Sequence, residues 1–145
     1  MIYNIRLMQE NDRETIVAMM KIFYASPAVL SNGSDEIFNA DVENCINDSP
    51  YLEGYVFECD GAIVGYGMLA KSFSTEFGKP CVWIEDIYIK PEYRGMGIGT
   101  EFFSLLFERH PNSLFRLEAE HENASALELY RRLGFDTLPY IELKR

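Results

Sequence analysis

Cysteine and histidine are scarce in this sequence of 145 residues: three cysteines (Cys45, Cys59 and Cys81) and two histidines (His110 and His121). The cysteines are odd in number and form no C-x-x-C pair, which argues against a disulfide scaffold or a zinc site and fits a reducing compartment. The histidines are too few and too isolated to suggest a metal centre, so no metal is expected. No apolar run approaches the ~20 residues needed to cross a bilayer. Residues 1–10 lack the basic start and apolar stretch of a secretory leader, which predicts a cytoplasmic protein. Basic residues are also short, 13 against 23 acidic, for a net charge of −10. Such a field repels nucleic-acid phosphates and anionic membranes, so neither is expected as a partner, and it attracts cations.

What is present is enough apolar material for one core, 48% of the chain, at a length typical of one domain, taken as residues 1–145. Residues 1–8 alternate as a short strand does. Asp12 is placed to cap a helix through Ile16, Met19, Met20 and Phe23 that stops before Pro27. Ser34 opens a second helix through Ile37, Phe38, Val42, Cys45 and Ile46. Residues 51–59 and 62–72 read as strands joined by Asp60-Gly61, a strong hairpin signal. Residues 81–89 form a third strand of that run, followed by a glycine-rich turn and a helix through Phe102, Phe103, Leu106 and Phe107. A strand over 114–120, a helix over 124–133 stopped by Gly134, and a last short strand over 140–143 complete the chain. The order β-α-α-β-β-β-α-β-α-β predicts an α+β fold, a mixed sheet with helices on both faces.

The segment Arg94, Gly95, Met96, Gly97, Ile98, Gly99, Thr100 lies between a strand and a helix. Alternate glycines let backbone approach a ligand closely. The helix that follows offers unpaired N–H groups and the positive end of its dipole, a setting for a diphosphate. Two familiar phosphate motifs do not fit. The Gly-Lys-Ser/Thr ending of a Walker loop is missing, and the glycine spacing departs from the G-x-G-x-x-G dinucleotide fingerprint.

Arg94, Gly97 and Gly99 do match R/Q-x-x-G-x-G/A, the motif of GNAT-superfamily N-acetyltransferases. The preceding Ile87-Tyr88-Ile89-Lys90-Pro91-Glu92-Tyr93 resembles the strand and turn that lead into it. Downstream, Asn123-Ala124-Ser125-Ala126-Leu127-Glu128-Leu129-Tyr130, continuing to Gly134-Phe135, resembles the second coenzyme motif of that family. The resemblance spans residues 83–135 and implies a three-layer α/β/α fold with a mixed, mostly antiparallel sheet. It also implies acetyl-CoA as cofactor. The backbone of Ile87, Tyr88 and Ile89 would hold the pantetheine arm, and N–H groups from Arg94 through Gly95, Met96, Gly97, Ile98, Gly99 and Thr100 would hold the pyrophosphate. Two neighbouring strands, ending near Ile89 and near Glu120, would splay apart to admit the arm. Asn123 would touch the cofactor, cap its helix, or do both. Many members of the family pair, which makes a homodimer one expected state.

Acetylating an amine needs a neutral nitrogen, and an alkylammonium of pKa near 10 is only about a thousandth neutral at pH 7, a deficit of roughly 4 kcal/mol. A carboxylate base makes up that deficit, and the departing thiolate benefits from a proton donor. By the resemblance, Tyr130 is the general acid and also a cofactor contact. Trp83-Ile84-Glu85-Asp86-Ile87-Tyr88-Ile89 is similar to diamine acetyltransferases, which implies Glu85 as base and Asp86 as a contact to a cationic substrate. Adjacent strand residues point to opposite faces, so both can serve only if the strand is bulged. Glu118, Glu120, His121 and Glu122 form a further acidic cluster, in which Glu120 is a substrate contact and Glu120 or His121 an alternative base. Acidic groups at both strand ends and the negative net charge favour a small cationic amine as acceptor, with peptide N-termini or lysines, or a non-catalytic coenzyme-binding module, as the alternatives. Only ten residues follow Phe135, which leaves the usual final hairpin shortened.

Overall fold

The computed structural model describes residues 3–145; the calls on Met1 and Ile2 lie outside them. Strand β1 (Tyr3–Leu7) is followed by helices α1 (Arg13–Tyr24) and α2 (Asp35–Ile46), then strands β2 (Leu52–Cys59), β3 (Ala62–Ser74) and β4 (Lys79–Ile89). Helix α3 (Ile98–Arg109), strand β5 (Leu114–Leu117) and helix α4 (Ala124–Arg132) complete the regular structure. Sheet order is β1-β2-β3-β4-β5, antiparallel through β4 and parallel between β4 and β5. The α+β class and mixed, mostly antiparallel sheet are as expected.

Local chemistry explains most boundaries. The Ser34 side chain accepts from the Ile37 N–H and starts α2. Asp60 and Gly61, at φ 50° and 84°, form the left-handed pair that a two-residue hairpin favours. Asp12 behaves differently from the expected cap. Its carboxylate turns back to accept from the Gln9 N–H and from both terminal nitrogens of Arg6, so α1 begins without a side-chain cap.

Two cores sandwich the sheet. On one face Phe102, Phe103 and Leu106 of α3 pack on Tyr55, Phe57, Val82 and Ile84, with Tyr130 of α4 at the margin. On the other, Ile16, Met19 and Met20 of α1 and Phe38 and Val42 of α2 cover Val56, Tyr66, Met68 and Tyr88. Among the described residues no helix is long and apolar enough to cross a membrane.

Two expected strands fall short. β5 ends at Leu117 rather than at residue 120, because its partner β4 diverges there. The last strand, expected over 140–143, is absent: beyond Gly134 the chain carries no regular structure. Its side chains find little cover, Ile141 and Leu143 being 87% and 90% exposed. One anchor is the Tyr140 hydroxyl, which donates to Glu76 in the β3–β4 turn at 2.6 Å.

Gly65 of β3 lies where backbones come closest, opposite Ile89. A Cβ there would sit 2.4 Å from the Tyr88 carbonyl oxygen, and a main-chain atom cannot rotate away. Gly65→Ala is expected to destabilise the protein by about 1–3 kcal/mol, read as a fall of several degrees in Tm by calorimetry; an unchanged Tm would contradict the close approach.

Candidate active site

The site begins with an irregularity in β4. Met68 of β3 pairs with Asp86, but the next residue, Leu69, pairs with Ile84, so Glu85 is an extra residue bulged out of the ladder. The bulge reverses the facing of the strand. Val82 and Ile84 pack on the α3 side, as do Ile87 and Ile89, whereas Asp86 and Tyr88 turn towards α1 and α2. The bulge on which the roles of Glu85 and Asp86 were conditional is therefore present in β4.

Pairing of β4 with β5 stops at Ile84 and Leu117. β4 continues to Ile89 with no strand on that edge, while the chain leaves β5 through residues 118–123 towards α4. From Glu85 to Ile89, β4 therefore has no strand pairing on its β5 side. A groove of about 1040 Å³ runs beside β5, and Trp83, Arg116, Glu118, His121, Tyr130 and Phe135 are among its walls. The Arg116 guanidinium lies 4.5 Å from the centre of the Trp83 ring, and its Nε is buried without a hydrogen-bond partner among the described residues.

At the far end of the open edge stands the entrance to α3. Gly95 and Gly97 have φ of 76° and 86°, and a Cβ at either would meet open space. Glycine is therefore required here by backbone conformation, not by crowding. Gly97 is the N-cap and supplies no side-chain acceptor, so no side chain caps the first-turn amides of α3. Donors at a positive helix end, opening on solvent, fit a diphosphate. Gly99 differs: it is buried, and a Cβ there would make an ordinary contact 3.5 Å from Leu129 Cδ2. The Arg94 side chain clamps the turn to β4, its Nε donating to the Ile89 carbonyl at 2.7 Å and its guanidinium resting against the Tyr88 ring. The Met96 carbonyl accepts from the Tyr3 hydroxyl at 3.3 Å, tying the turn to β1.

Asn123 caps α4, its Oδ1 accepting from the Ala126 N–H at 3.4 Å. The Tyr130 ring packs edge-on to Phe103 and Phe135. Burial pushes its hydroxyl pKa upward, and the hydroxyl has no hydrogen-bond partner among the described residues. Tyr130 is one of the residues lining the groove beside β5.

The carboxylates gather as the bulge dictates. Burial, then the charges of Asp86 and Glu142, push Glu85 up from the ordinary glutamate range. Asp86, only 4% exposed, is pushed up by burial and drawn back by hydrogen bonds from Tyr66 and Tyr24. Asp41 of α2 adjoins them and is pushed up to about 6 by burial and by the Asp86 and Glu85 charges. Glu118, paired with Glu142 of the tail, is pushed up to about 7, first by the hydrogen bond between the two carboxyls. Glu120 stands apart from this group, in the turn before α4, where its carbonyl accepts from the Asn123 N–H. Asp41, Tyr24, Tyr66 and Glu142 were not singled out from the sequence. They belong to no motif, and only folding brings them beside Asp86 and Glu85.

Comparison with known proteins agrees with this geometry. Residues 16–135 match the model of the acetyltransferase (GNAT) family. A thialysine N-epsilon-acetyltransferase of Bos taurus is 40% identical over 83 residues, 55% of this chain and 48% of that protein. That of Mus musculus is 42% identical over 79 residues, 52% of this chain and 46% of the other. The chain thus spans about half the length of the curated relatives it matches. AAC(6')-Iy, solved with the bisubstrate analog CoA-S-monomethyl-acetylneamine, superposes with a TM-score of 0.81 at 17% identity, over 100% of this chain and 98% of that one. A predicted acetyltransferase of Clostridium acetobutylicum, solved with acetyl-CoA, gives 0.77 at 22% identity, over 99% and 96%. With the family model spanning the open β4 edge, the glycine entrance of α3 and the whole of α4, the chain belongs to the GNAT acetyltransferase family, whose cofactor is acetyl-CoA.

Proposed function

We propose that this chain is a single-domain N-acetyltransferase that transfers the acetyl group of acetyl-CoA to a small cationic primary amine. The observation that carries the proposal is the unpaired β4 edge, running from the bulged Glu85 to the glycine entrance of α3. In this reading a carboxylate stands at one end of that edge and the start of α3, without a side-chain cap, at the other. The relatives named for acetylating thialysine support an amine acceptor, and the net charge of −10 supports a cationic one.

The amides of Gly97, Ile98, Gly99 and Thr100, with the backbone of Arg94, Gly95 and Met96, would bind the diphosphate. The backbone of Ile87, Tyr88 and Ile89 would orient the pantetheine arm, and Asn123 would contact it from the start of α4. When bound, acetyl-CoA supplies an activated thioester carbonyl and a thiolate leaving group. Asp86 and Glu120 would attract the incoming ammonium, and Glu85 would take its proton at a carboxylate oxygen, directly or through water. A base pushed above the usual glutamate range holds a proton better, which suits it to an ammonium donor. The Tyr130 hydroxyl would give its proton to the departing thiolate. Holding amine and thioester side by side supplies much of the remaining acceleration.

Three outcomes follow from this assignment. Tyr130→Phe should lower kcat about 100-fold while leaving the CoA Kd, read by calorimetry, close to wild type; normal turnover would remove Tyr130 as the acid. Glu85→Gln should lower kcat/KM by about 10²–10⁴ and abolish the acid limb of the pH profile, where wild-type activity rises with pH as Glu85 ionises. A retained limb would move the base elsewhere. Asp41 gives a stability signature. Its folded pKa of about 6 lies above the unfolded value, so the folded state holds the proton more tightly and loses stability as pH rises from about 4 to 6. Asp41→Asn is therefore expected to raise Tm at pH 7.5 and leave it unchanged at pH 4, measured by thermal denaturation without amine. Equal effects at both pH values would contradict the crowding of charge.

A further inference from the structure

Asp86 sits between two tyrosines on different elements. The Tyr24 hydroxyl, on the last turn of α1, donates to its Oδ1 at 2.9 Å, and the Tyr66 hydroxyl, on β3, donates to its Oδ2 at 2.8 Å. Both oxygens thus receive a proton donor in a nearly dry setting. Charged groups crowd the same place: Asp41 on α2 and Glu85 on the same strand, with the Cys45 thiol of α2 also within reach of the Asp86 charge. Burial favours a neutral Asp86, whereas the two donated hydrogen bonds favour the ion, because a carboxylate accepts more strongly than a carboxylic acid.

The two tyrosines are not equivalent. Tyr66 is fully buried and fixed within the sheet. Tyr24 is only partly buried and closes α1 directly before the 25–34 connection to α2. Its ring packs edge-on to Phe23, with centroids 5.4 Å apart, and against Phe38 of α2 at 5.2 Å. Phe38 and Asp41 are three apart on α2 and so share a helical face. One side chain thus joins the end of α1, the start of α2 and the buried carboxylate.

We propose that Tyr24 is a positioning residue of the acceptor site: its hydroxyl holds Asp86 as an aligned carboxylate, the counter-charge for the incoming ammonium, and makes that alignment depend on the seating of α1 against α2. The assignment rests on the amine-acetylating function proposed above. It adds a role that neither acid nor base performs, since Tyr24 acts only through Asp86. Loss of its hydroxyl leaves Oδ1 without that donor, and burial then favours a protonated Asp86. Amine capture weakens, while the proton transfers at Glu85 and Tyr130 are left in place.

The test is Tyr24→Phe, which keeps the ring and its packing, with 1,4-diaminobutane as acceptor. KM for the amine is expected to rise about tenfold at pH 7, the scale of one charge-assisted hydrogen bond. kcat should stay within about twofold, and the KM defect should shrink as pH rises and Asp86 regains its charge. In the protein without ligands, carbon-13 titration of the Asp86 carboxyl should show its midpoint displaced to higher pH in the variant. In an Asp86→Asn background, Tyr24→Phe should change KM no further. An unchanged KM with an unchanged Asp86 titration overturns the inference, as does a loss confined to kcat. If wild-type protein acetylates no amine, the proposed function fails; the carboxyl titration then still decides whether the Tyr24 hydroxyl sets the charge of Asp86.

Discussion

Beyond Ile84 and Leu117 the parallel strands β4 and β5 stop exchanging hydrogen bonds, and the proposed site is arranged around the part of β4 left unpaired there. A parallel sheet normally buries its edges, and an unpaired strand edge exposes donors and acceptors that must find other partners. Here the β3 side of β4 stays paired through Ile89, so the strand is held rigid while its other side stays open. The Arg94 side chain occupies the Ile89 carbonyl, which ends the open edge where the helix entrance begins.

The bulge at Glu85 is the second half of the same construction. Without the extra residue, Ile84 and Asp86 would share a face, and a carboxylate would enter the apolar layer under α3. With it, Val82, Ile84, Ile87 and Ile89 all reach that layer, and Asp86 meets the tyrosines on the opposite side. The resulting concentration of like charge, Asp41 with Glu85 and Asp86 and Glu118 with Glu142, opposes folding and favours a cationic guest. Strain and unfavourable charge are commonly retained at sites whose ligand relieves them.

The parts legible in the sequence are those fixed by short-range chemistry. Ser34 as a cap, Asp60-Gly61 as a hairpin and the glycines before α3 each determine local backbone, and the motif around them carried the family. Asp12 misled because a long-range partner, Arg6 on β1, draws its carboxylate away from the helix it precedes. The expected strand over 140–143 has a suitable alternating pattern, yet its residues line the groove beside β5 without pairing with it. Asp41, Tyr24 and Tyr66 were illegible for a different reason. A tyrosine in an apolar strand or helix reads as core, and only the register of β3 on β4 reveals that a hydroxyl meets a carboxylate.

The central claim is that the β4 edge and the α3 entrance together hold the coenzyme. Backbone amide NMR during titration with CoA tests it most directly, since it reports on main-chain groups without requiring turnover. The account predicts saturable shifts at Ile87, Tyr88 and Ile89 and at Gly97, Ile98, Gly99 and Thr100, with β1 and β2 little changed. Saturable shifts confined to other surfaces, or no shifts at millimolar CoA, would contradict it.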